Sequence, residues 1–182
     1  ISAQTNVDCN GNSTGSLTVT GGGGTTPYTN AGKRGVGAAT KGSLPAGTHT
    51  VTITDAQGCT ETASSTVTEP AVLAVSIGSQ TNVDCNGNST GSATAAPTGG
   101  TPPYTYSWSS GGSAITEGSL AAGTYTVSVD DANGCGIVTT TVTITEPAVL
   151  TAAISAQTNV DCNGNSTGSL TVTGGGGTTP YT

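Results

Sequence analysis

A twelve-residue segment that occurs three times sets the period of the chain. Thr5–Ser16 (TNVDCNGNSTGS) returns as Thr81–Ser92 and as Thr158–Ser169, so its starting positions 5, 81 and 158 are almost evenly spaced. Ile154–Thr182 repeats Ile1–Thr29 without a change, so a unit that spans positions 1 to 153 starts again at Ile154. Self-similarity at a fixed period is typical of architectures that place one small unit after another. We therefore expect the chain to be part of a longer tandem array.

Each half of this unit is long enough for one small domain. The sequence Glu-Pro-Ala occurs at Glu69–Ala71 and at Glu146–Ala148, and proline limits strand pairing there. We place the domain joins at these two positions. The predicted domains are residues 1–70, residues 71–147, and an incomplete third repeat at 148–182 that has the sequence of the start of domain 1.

Short runs of alternating apolar and polar residues predict strands throughout the chain. Gly15–Thr20 places Leu17 and Val19 on one face, and Gly123–Val129 is a second such run. Turn signals rich in Asn, Gly and Pro separate the runs roughly every 8–12 residues, without a helical period. The sequence therefore predicts an all-β fold of tandem immunoglobulin-like β-sandwich domains in an elongated array.

Domain 2 holds most of the large aromatic side chains. Tyr104, Tyr106 and Trp108 alternate along one predicted strand and so share a face. Trp108 stands where the third strand of an immunoglobulin-like sandwich carries its core Trp, and Tyr125 stands where such a sandwich carries its tyrosine corner. We predict packing roles in the core for all four.

Domain 1 departs from this aromatic pattern. Aligned without gaps, it has Gly32 at the position of Trp108, Asn30 at that of Tyr106 and His49 at that of Tyr125. Loss of a core Trp costs about 3–5 kcal/mol unless another group fills the space. Either this core is thin or a neighbouring chain packs against it, and the sequence leaves both open.

Charge and composition argue against several classes of function. The formal net charge is −7 and Lys33, Arg34 and Lys41 are the only Lys or Arg residues, so we expect no nucleic-acid partner. No apolar run approaches the length of a membrane-spanning helix, so we expect no membrane span. No Ser/His/Asp set, phosphate-binding loop or carboxylate pair is visible. We therefore expect no enzyme activity and name no catalytic residue.

Five cysteines follow the repeat. Cys9 and Cys59 have the same spacing as Cys85 and Cys135, and Cys162 opens the next set. No Cys-x-x-Cys or Cys/His cluster suggests a metal, so disulfides are the preferred interpretation. We predict pairing within domains, Cys9–Cys59 and Cys85–Cys135, with the partner of Cys162 outside the sequence. In plain immunoglobulin topology, however, the first turn and the last hairpin lie at opposite poles, which favours bonds between successive domains such as Cys9–Cys135.

The segment after the first strand has some features of a calcium-binding loop. Its Asp-x-Asn-x-Asn pattern supplies oxygen ligands, but Val19 occupies the position at which an EF-hand has its bidentate Glu. A turn closed by its own Asn and Ser side chains is the preferred interpretation. We expect no cofactor, with calcium kept as the alternative. The carboxylates available to calcium would be those of Asp8, Asp84, Asp161, Glu69 and Glu146.

Four motifs of domain 2 point to a known family. They are CNG at Cys85–Gly87, GGTPPYTYSW at Gly99–Trp108, LAAGTYTV at Leu120–Val127 and DANGC at Asp131–Cys135. Together they resemble the SprB-type repeat of large surface adhesins in gliding and filament-bearing Bacteroidota. The resemblance covers both complete domains and the start of the third. It implies an extracellular, cell-surface protein that is exported by the type IX route, works as an adhesin or surface filament, and carries no catalytic residues.

The basic residues are unevenly distributed between the domains. Lys33, Arg34 and Lys41 all lie in domain 1, whereas domain 2 has no basic residue and carries Asp130 and Asp131. One interpretation is a solvated loop. The other is a lateral interface, in which the basic segment of one chain meets the acidic edge of another.

Our leading hypothesis is a structural stalk, namely a tandem array that forms a long extracellular filament or the shaft of a cell-surface adhesin. Its partners would be further copies of itself in a bundled filament, and its ligand on a surface or a prey cell is unknown. A carbohydrate- or surface-binding module is an alternative that exposed aromatic side chains would support. A calcium-stiffened spacer that presents a distal adhesive tip is another.

Overall fold

Strands and loops make up the whole of the chain that the computed structural model describes, which is residues 1–30, 33–35 and 38–182. Side chains between positions 31 and 38 lie outside this description, and so does Gly32. No helix occurs within the described ranges. The predicted all-β class is confirmed, while the immunoglobulin-like assignment within that class stays a prediction.

The first repeat forms two antiparallel sheets. One has the order β1-β2-β5 and the other the order β4-β3-β6-β7. The strands are β1 (Ala3–Thr5), β2 (Gly15–Thr20), β3 (Tyr28–Asn30), β4 (Lys33–Gly35), β5 (Ala38–Leu44), β6 (Gly47–Thr54) and β7 (Thr60–Val67).

The second repeat is built in the same way from two three-stranded sheets, with the orders β8-β9-β11 and β10-β12-β13. Its strands are β8 (Ala74–Thr81), β9 (Gly91–Thr98), β10 (Thr105–Trp108), β11 (Thr116–Leu120), β12 (Gly123–Asp130) and β13 (Val138–Ile144). The third repeat contributes one hairpin, β14 (Thr151–Thr158) paired with β15 (Ser169–Gly175).

In both complete repeats the core lies between the two sheets. A Cβ built on Gly15 in β2 would lie 2.6 Å from Val67 Cγ1 in β7, and a Cβ on Gly91 in β9 would lie 2.6 Å from Ile144 Cγ2 in β13. Alternating side chains of each strand therefore point into the sandwich, as the period-two pattern requires. Both positions must be glycine because the facing aliphatic residue occupies the space of a side chain.

The two cores are filled differently. In the second repeat Trp108 is 3% exposed and packs in a core in which Ala93 and Ala95 occupy β9. In the first repeat the residues equivalent to those two alanines are Leu17 and Val19, which are both buried. Larger aliphatic side chains thus accompany the absence of a Trp at position 32, and tolerance of such swaps is expected where total volume is kept.

Identical sequence has different burial in the first and third repeats. Leu17 and Val19 are 6% and 5% exposed, whereas the identical Leu170 and Val172 are 62% and 64% exposed. In the first repeat Leu17 belongs to a core cluster with Leu44 and Val67, and residues 154–182 contain no counterpart of Leu44 or Val67. The hairpin alone therefore does not bury its apolar face.

Two compact units divide the structure, and neither coincides with one repeat. Unit 1 is Ile1–Ala74 together with Pro97–Tyr104 and Asp130–Val138. Unit 2 is Val75–Ala96, Thr105–Val129 and Thr139–Thr182. Loops at one end of the second repeat thus belong to the unit that holds the first repeat. The domain boundaries at 70/71 and 147/148 stay predictions.

Replacement of Gly91 by Ala should destabilise the second repeat by about 1–3 kcal/mol, because the new methyl group would overpack against Ile144 and the carbonyl oxygen of Leu120. Gly118→Ala is the matched control, since a Cβ there meets open space. Urea unfolding followed by the fluorescence of Trp108 measures both. Equal unfolding free energies for the two variants would contradict the packing described here.

Candidate functional site

The turn after the first strand holds its cysteine in a fixed position. Asp8 Oδ1 accepts hydrogen bonds from Cys9 N (2.7 Å), Thr14 Oγ1 (2.7 Å) and Asn12 Nδ2 (3.1 Å). Thr14 Oγ1 in turn accepts one from Asp8 N (3.0 Å). These bonds, with that of Thr14 as the largest contribution and that of Asn12 next, hold the pKa of Asp8 below its usual value. We call residues 8–14 the first turn.

The first turn recurs with the same bonds in each repeat. Asp84 Oδ1 accepts from Cys85 N, Asn88 Nδ2 and Thr90 Oγ1 at 2.7, 3.2 and 2.8 Å. Asp161 Oδ1 accepts from the equivalent atoms of the third repeat at 2.8, 2.7 and 2.8 Å. The recurring sequence therefore encodes one local structure that is independent of its surroundings.

The Glu-Pro-Ala join is bound to the first turn of the repeat that precedes it. Glu69 Oε2 accepts from Gly11 N (2.7 Å), and Asn10 Nδ2 donates to the carbonyl oxygen of Pro70 (3.1 Å). At the next join Glu146 Oε2 accepts from Gly87 N, and Asn86 Nδ2 donates to Pro147 O, at the same two distances. Charge-assisted bonds of a carboxylate to a backbone N–H are among the stronger hydrogen bonds.

The same join is also bound to the repeat that follows it. Gly100 N donates to Ala71 O (2.8 Å), and at the next join Gly177 N donates to Ala148 O (2.7 Å). The neighbouring Gly99 has a φ of 68° and lies so close to Val72 O that a side chain there would clash with it. Both the positive φ and this approach require glycine. The Gly-Gly pairs of the second and third repeats thus serve as docking points for the joins that precede them.

A second carboxylate organises the hairpin that carries the other cysteine. Asp131 Oδ1 accepts from Cys135 N (2.9 Å) and Oδ2 accepts from Thr101 N (2.8 Å). In the first repeat Asp55 makes the equivalent bonds, with Oδ1 to Cys59 N (2.8 Å) and Oδ2 to Thr25 N (3.1 Å). We call residues 131–135, and 55–59 in the first repeat, the last hairpin.

Within unit 1 the first turn of repeat 1 and the last hairpin of repeat 2 are joined. Cys9 and Cys135 form a disulfide with a Cα–Cα distance of 5.3 Å, 126 residues apart in sequence. Asn133 Nδ2 donates to Asp8 O (2.7 Å) beside it. An open cavity of about 270 Å³ lies next to this bond, and the side chains of Val72 and Ile137 on its lining are largely exposed.

The preferred within-domain pairing is therefore wrong for these two residues, and the alternative between successive domains is the one formed. Cys59, Cys85 and Cys162 are free and exposed. The physical reason lies in β7. Cys59 directly precedes this eight-residue strand, whereas the first turn is anchored beyond its other end by Val7 N donating to Thr68 O. Eight residues of strand separate the two by about 26 Å, far beyond the reach of a disulfide.

The predicted core aromatics occupy the second repeat as follows. Trp108 is buried and its Nε1 donates to Ala114 O (2.9 Å). Tyr104, Tyr106 and Tyr125 are half-buried. Tyr104 Oη donates to Gly99 O (2.6 Å), and Tyr125 Oη donates to Ala121 O (3.1 Å), four residues upstream as in a tyrosine corner.

His49 takes over the tyrosine-corner bond in the first repeat. Its Nε2 lies 2.9 Å from Pro45 O, and these two residues are the equivalents of Tyr125 and Ala121. A carbonyl oxygen only accepts hydrogen bonds, so Nε2 carries the proton in this contact. The single histidine of the chain therefore has a structural partner.

The carboxylates considered for calcium all accept hydrogen bonds from the protein. Those of Asp8, Asp84 and Asp161 close the first turns, and those of Glu69 and Glu146 bind backbone amides at the joins. Among the described residues, no group of three or more His, Cys, Asp or Glu is placed to hold a metal ion. Calcium binding at these positions stays a prediction.

The residues predicted for a lateral interface differ in how far their side chains are exposed. Lys41 is exposed on β5, paired with Leu17 of β2. Asp130 is half-buried and its Oδ1 accepts from Asp131 N. Asp131 is 5% exposed and uses both carboxylate oxygens in its hairpin, so its charge is less accessible to a neighbouring chain than that of Asp130. The side chains of Lys33 and Arg34 lie outside the described part.

Sequence reasoning did not find the residues that dock one repeat on the next. These are Asn133 on the hairpin, Gly100 in the Gly-Gly pair, and Gly11, whose backbone amide donates to Glu69. A signal was available, since Asn-Gly after the cysteine, Glu-Pro at the join and Gly-Gly before Pro-Tyr all recur with the period of the repeat.

These features define a repeat protein in which each β-sandwich is tied to its sequence neighbour. Comparison with known families gives the same answer in more specific form: the SprB repeat matches residues 1–29, 77–113 and 154–182, which is more than half of the chain. The chain belongs to the SprB repeat family, and the family places it among cell-surface, adhesin-type repeat proteins. Neither curated proteins nor solved structures gave a match.

The family is a structural repeat and brings no catalytic residue to the chain. The described residues form no helix that is long and apolar enough to span a membrane.

Acid should destabilise the protein through its turn carboxylates. The hydrogen bonds described above lower the pKa of Asp8, Asp55, Asp84, Asp131 and Asp161 in the folded state. A carboxylate whose pKa is lower folded than unfolded stabilises the fold fully above the unfolded pKa of about 3.9 and loses that contribution as the pH falls through the folded value. The Tm should therefore be steady from pH 7 to 5 and fall below about pH 4.

Asp131→Asn isolates one such group and should give a lower Tm at pH 7 together with a shallower fall in acid. Glu61→Gln, at an exposed position on β7, is the matched control and should follow the unmodified chain. Differential scanning calorimetry between pH 7 and 2 measures all three proteins. A Tm for Asp131→Asn that tracks the control at every pH would contradict the role given to this carboxylate.

Cys9→Ser should lower the free energy of unfolding by about 2–5 kcal/mol, because the bond it removes joins two residues that are 126 residues apart. Cys59→Ser removes an exposed free thiol and should change stability by less than about 0.5 kcal/mol. Urea denaturation under non-reducing conditions compares them. Equal midpoints for the two variants would contradict a stabilising bond at Cys9.

Proposed function

We propose that this chain is part of the stalk of a long extracellular filament or cell-surface adhesin, and that its stalks associate laterally. The observation that carries the proposal is the join between repeats. It is bonded to the first turn before it and to the Gly-Gly pair after it, and this arrangement recurs at the next join. A protein whose work is to hold successive domains in a fixed sequence needs contacts at joins more than it needs a pocket.

The disulfide supports the extracellular part of the proposal. Structural disulfides form and persist in oxidising compartments such as the cell surface. Cys9 and Cys135 are such a pair, and the domains they connect are small and poor in aromatic residues. Export by the type IX route and a part in gliding or in a surface filament follow from the family resemblance and belong to the same proposal.

A carbohydrate- or surface-binding role has less support from the side chains. Such a site uses exposed aromatic faces, but Trp108 is buried and Tyr104 and Tyr125 have their hydroxyl groups bonded to backbone carbonyls. We therefore assign adhesion itself to a part of the molecule other than these aromatic residues.

Lateral association would use the charge asymmetry of the two repeats. The chain carries a net charge of −7, yet Lys41 is exposed on β5 close in sequence to Lys33 and Arg34. Opposite charges on neighbouring stalks attract mainly at low ionic strength, since a Debye length is about 8 Å at physiological salt. Lateral contacts of this kind should therefore weaken as salt is raised.

Negative-stain electron microscopy of the purified protein tests the proposal. We expect bundled fibres with an axial repeat of about 70–80 Å, if each domain adds about 35–40 Å along the fibre. Changing Lys33, Arg34 and Lys41 together to Glu should reduce the fibre width without changing the axial repeat, whereas exchanging Lys for Arg and Arg for Lys at the same positions is the matched control and should leave the width unchanged.

Two results would count against the proposal. Globular particles with no fibre at any salt concentration would contradict the stalk. Fibres of unchanged width in the charge-reversed protein would contradict the lateral interface and leave the stalk intact.

A further inference from the structure

The disulfide between Cys9 and Cys135 joins two structural elements, a first turn and a last hairpin, and each of these elements occurs more than once in the chain. Its first half, the first turn, has the same hydrogen bonds around Cys85 and Cys162 as around Cys9. Its second half, the last hairpin, has the same carboxylate bonds around Cys59 as around Cys135. Residues 1–182 hold one first turn followed by the hairpin of a complete next repeat, and there the bond is formed.

The exposure of the cysteines agrees with this view. Cys9, which is covered by the hairpin of the next repeat, is 9% exposed, whereas Cys85 and Cys162 sit in identical turns and are exposed. Cys59 lies at the end of β7 opposite the join, whereas Cys85 lies beyond the end of β13 beside the following join, and the two do not bond to each other. Nor can Cys85 bond to Cys135 of its own repeat, because the whole of β13 lies between the hairpin and Thr145, whose carbonyl anchors the first turn through Val83 N.

We propose that the first-turn cysteine of every repeat bonds to the last-hairpin cysteine of the following repeat, so that an array of these units carries a continuous ladder of disulfides. Taking positions 1 to 153 as one sequence unit, Cys85 then bonds to the equivalent of Cys59 in the next sequence unit. Cys162, which belongs to that next sequence unit, bonds to the equivalent of Cys135 in the same one. The ladder deepens the proposed stalk and rests on its tandem arrangement. In the first repeat Gln57 stands at the position equivalent to Asn133. Gln57 has the same amide group as Asn133, on a side chain that is one methylene longer.

Each rung forms by thiol–disulfide exchange. One cysteine thiolate attacks a small-molecule disulfide and releases one thiol, and the second cysteine thiolate then attacks the mixed disulfide and releases the other. Two protein thiols are oxidised to one disulfide, and one external disulfide is reduced to two thiols. The oxidant is thus a disulfide of the glutathione class, which the surroundings must supply.

The ladder changes how far the array can be stretched. From Cys135 the chain runs only as far as Cys162, the next first-turn cysteine, where a disulfide leads directly to the following unit. The second line runs from Cys59 to Cys85 before its own rung. Two covalent lines therefore run along the array, and each contains only the last strand, the join and the first strand of the next repeat as extensible chain.

The difference in extensible length is large. An unfolded unit that spans positions 1 to 153 reaches about 535 Å at roughly 3.5 Å per residue, whereas the segment between Cys135 and Cys162 reaches about 95 Å. Oxidation should thus reduce the fully extended length of each unit about five- to sixfold. The stalk would transmit force with little extension even when its sandwiches unfold.

A chain of two consecutive units, each with the sequence of positions 1 to 153, tests the ladder. It contains all of Ile1–Thr182 and completes the repeat that begins at Ile154. After folding with oxidised and reduced glutathione, alkylation without reduction and intact mass spectrometry count its free thiols. The ladder predicts two alkylated cysteines out of eight, the first Cys59 and the last Cys85. If only the two bonds equivalent to Cys9–Cys135 form, four cysteines should be alkylated. If Cys59 also pairs with Cys85 in each sequence unit, no cysteine should be alkylated. Either result would overturn the proposal.

Two variants of the first unit sharpen the count. Cys85→Ser breaks a rung and frees its partner, so the count should rise from two to three, whereas the matched Cys59→Ser removes a cysteine that is already free and should lower it to one. A count for Cys85→Ser that falls to the same value as that for Cys59→Ser would show that Cys85 was never bonded. These results do not depend on filament formation, so failure of the ladder leaves the microscopy of the stalk to be judged by itself.

Single-molecule stretching of the same chain gives an independent readout. When fully extended, the oxidised chain should be about one fifth as long as the reduced chain. Equal contour lengths with and without reductant would contradict a continuous ladder.

Discussion

The structure depends on one constraint, which is that the first turn and the last hairpin of a repeat lie at opposite ends of its last strand. The carboxylate of Asp8 fixes the first turn by accepting a hydrogen bond from the backbone amide of Cys9, and that of Asp131 fixes the hairpin by accepting one from the backbone amide of Cys135. Neither element can therefore reach its counterpart in the same repeat. The partner of each has to come from a sequence neighbour, and the Cys9–Cys135 bond shows this directly.

Two sandwiches of different composition meet this constraint in the same way. The second repeat fills its core with Trp108 together with Ala93 and Ala95, whereas the first uses Leu17 and Val19 and replaces the tyrosine-corner hydroxyl with the imidazole of His49. What the repeats share is the set of residues at their ends. The interior can thus vary between neighbours while the contacts that connect them stay the same.

The sequence predicts the all-β fold, the strand pattern and the family because these depend on period-two alternation, turn residues and motifs that recur within the chain. It also contains the argument for a bond from Cys9 to Cys135, since opposite poles follow from the topology alone. The expectation that a small domain would be closed by its own disulfide was wrong because the full length of the last strand separates the first turn from the last hairpin of the same repeat. Asn133, Gly11 and Gly100 were missed because their roles lie in single hydrogen bonds at the join. The recurrence of motifs such as Asn-Gly and Gly-Gly marks positions of this kind but does not show which atoms they bind.

Peptide mapping of the 182-residue chain tests the central claim most directly. Cleavage on the N-terminal side of Asp under non-reducing conditions places each of the five cysteines on a separate peptide, since an Asp lies between every two of them. The account predicts a single cross-linked species, made of residues 8–54 and residues 131–160, with the three peptides of Cys59, Cys85 and Cys162 unlinked. A species that joins residues 8–54 to residues 55–83 would show Cys9 bonded to Cys59 and would contradict it.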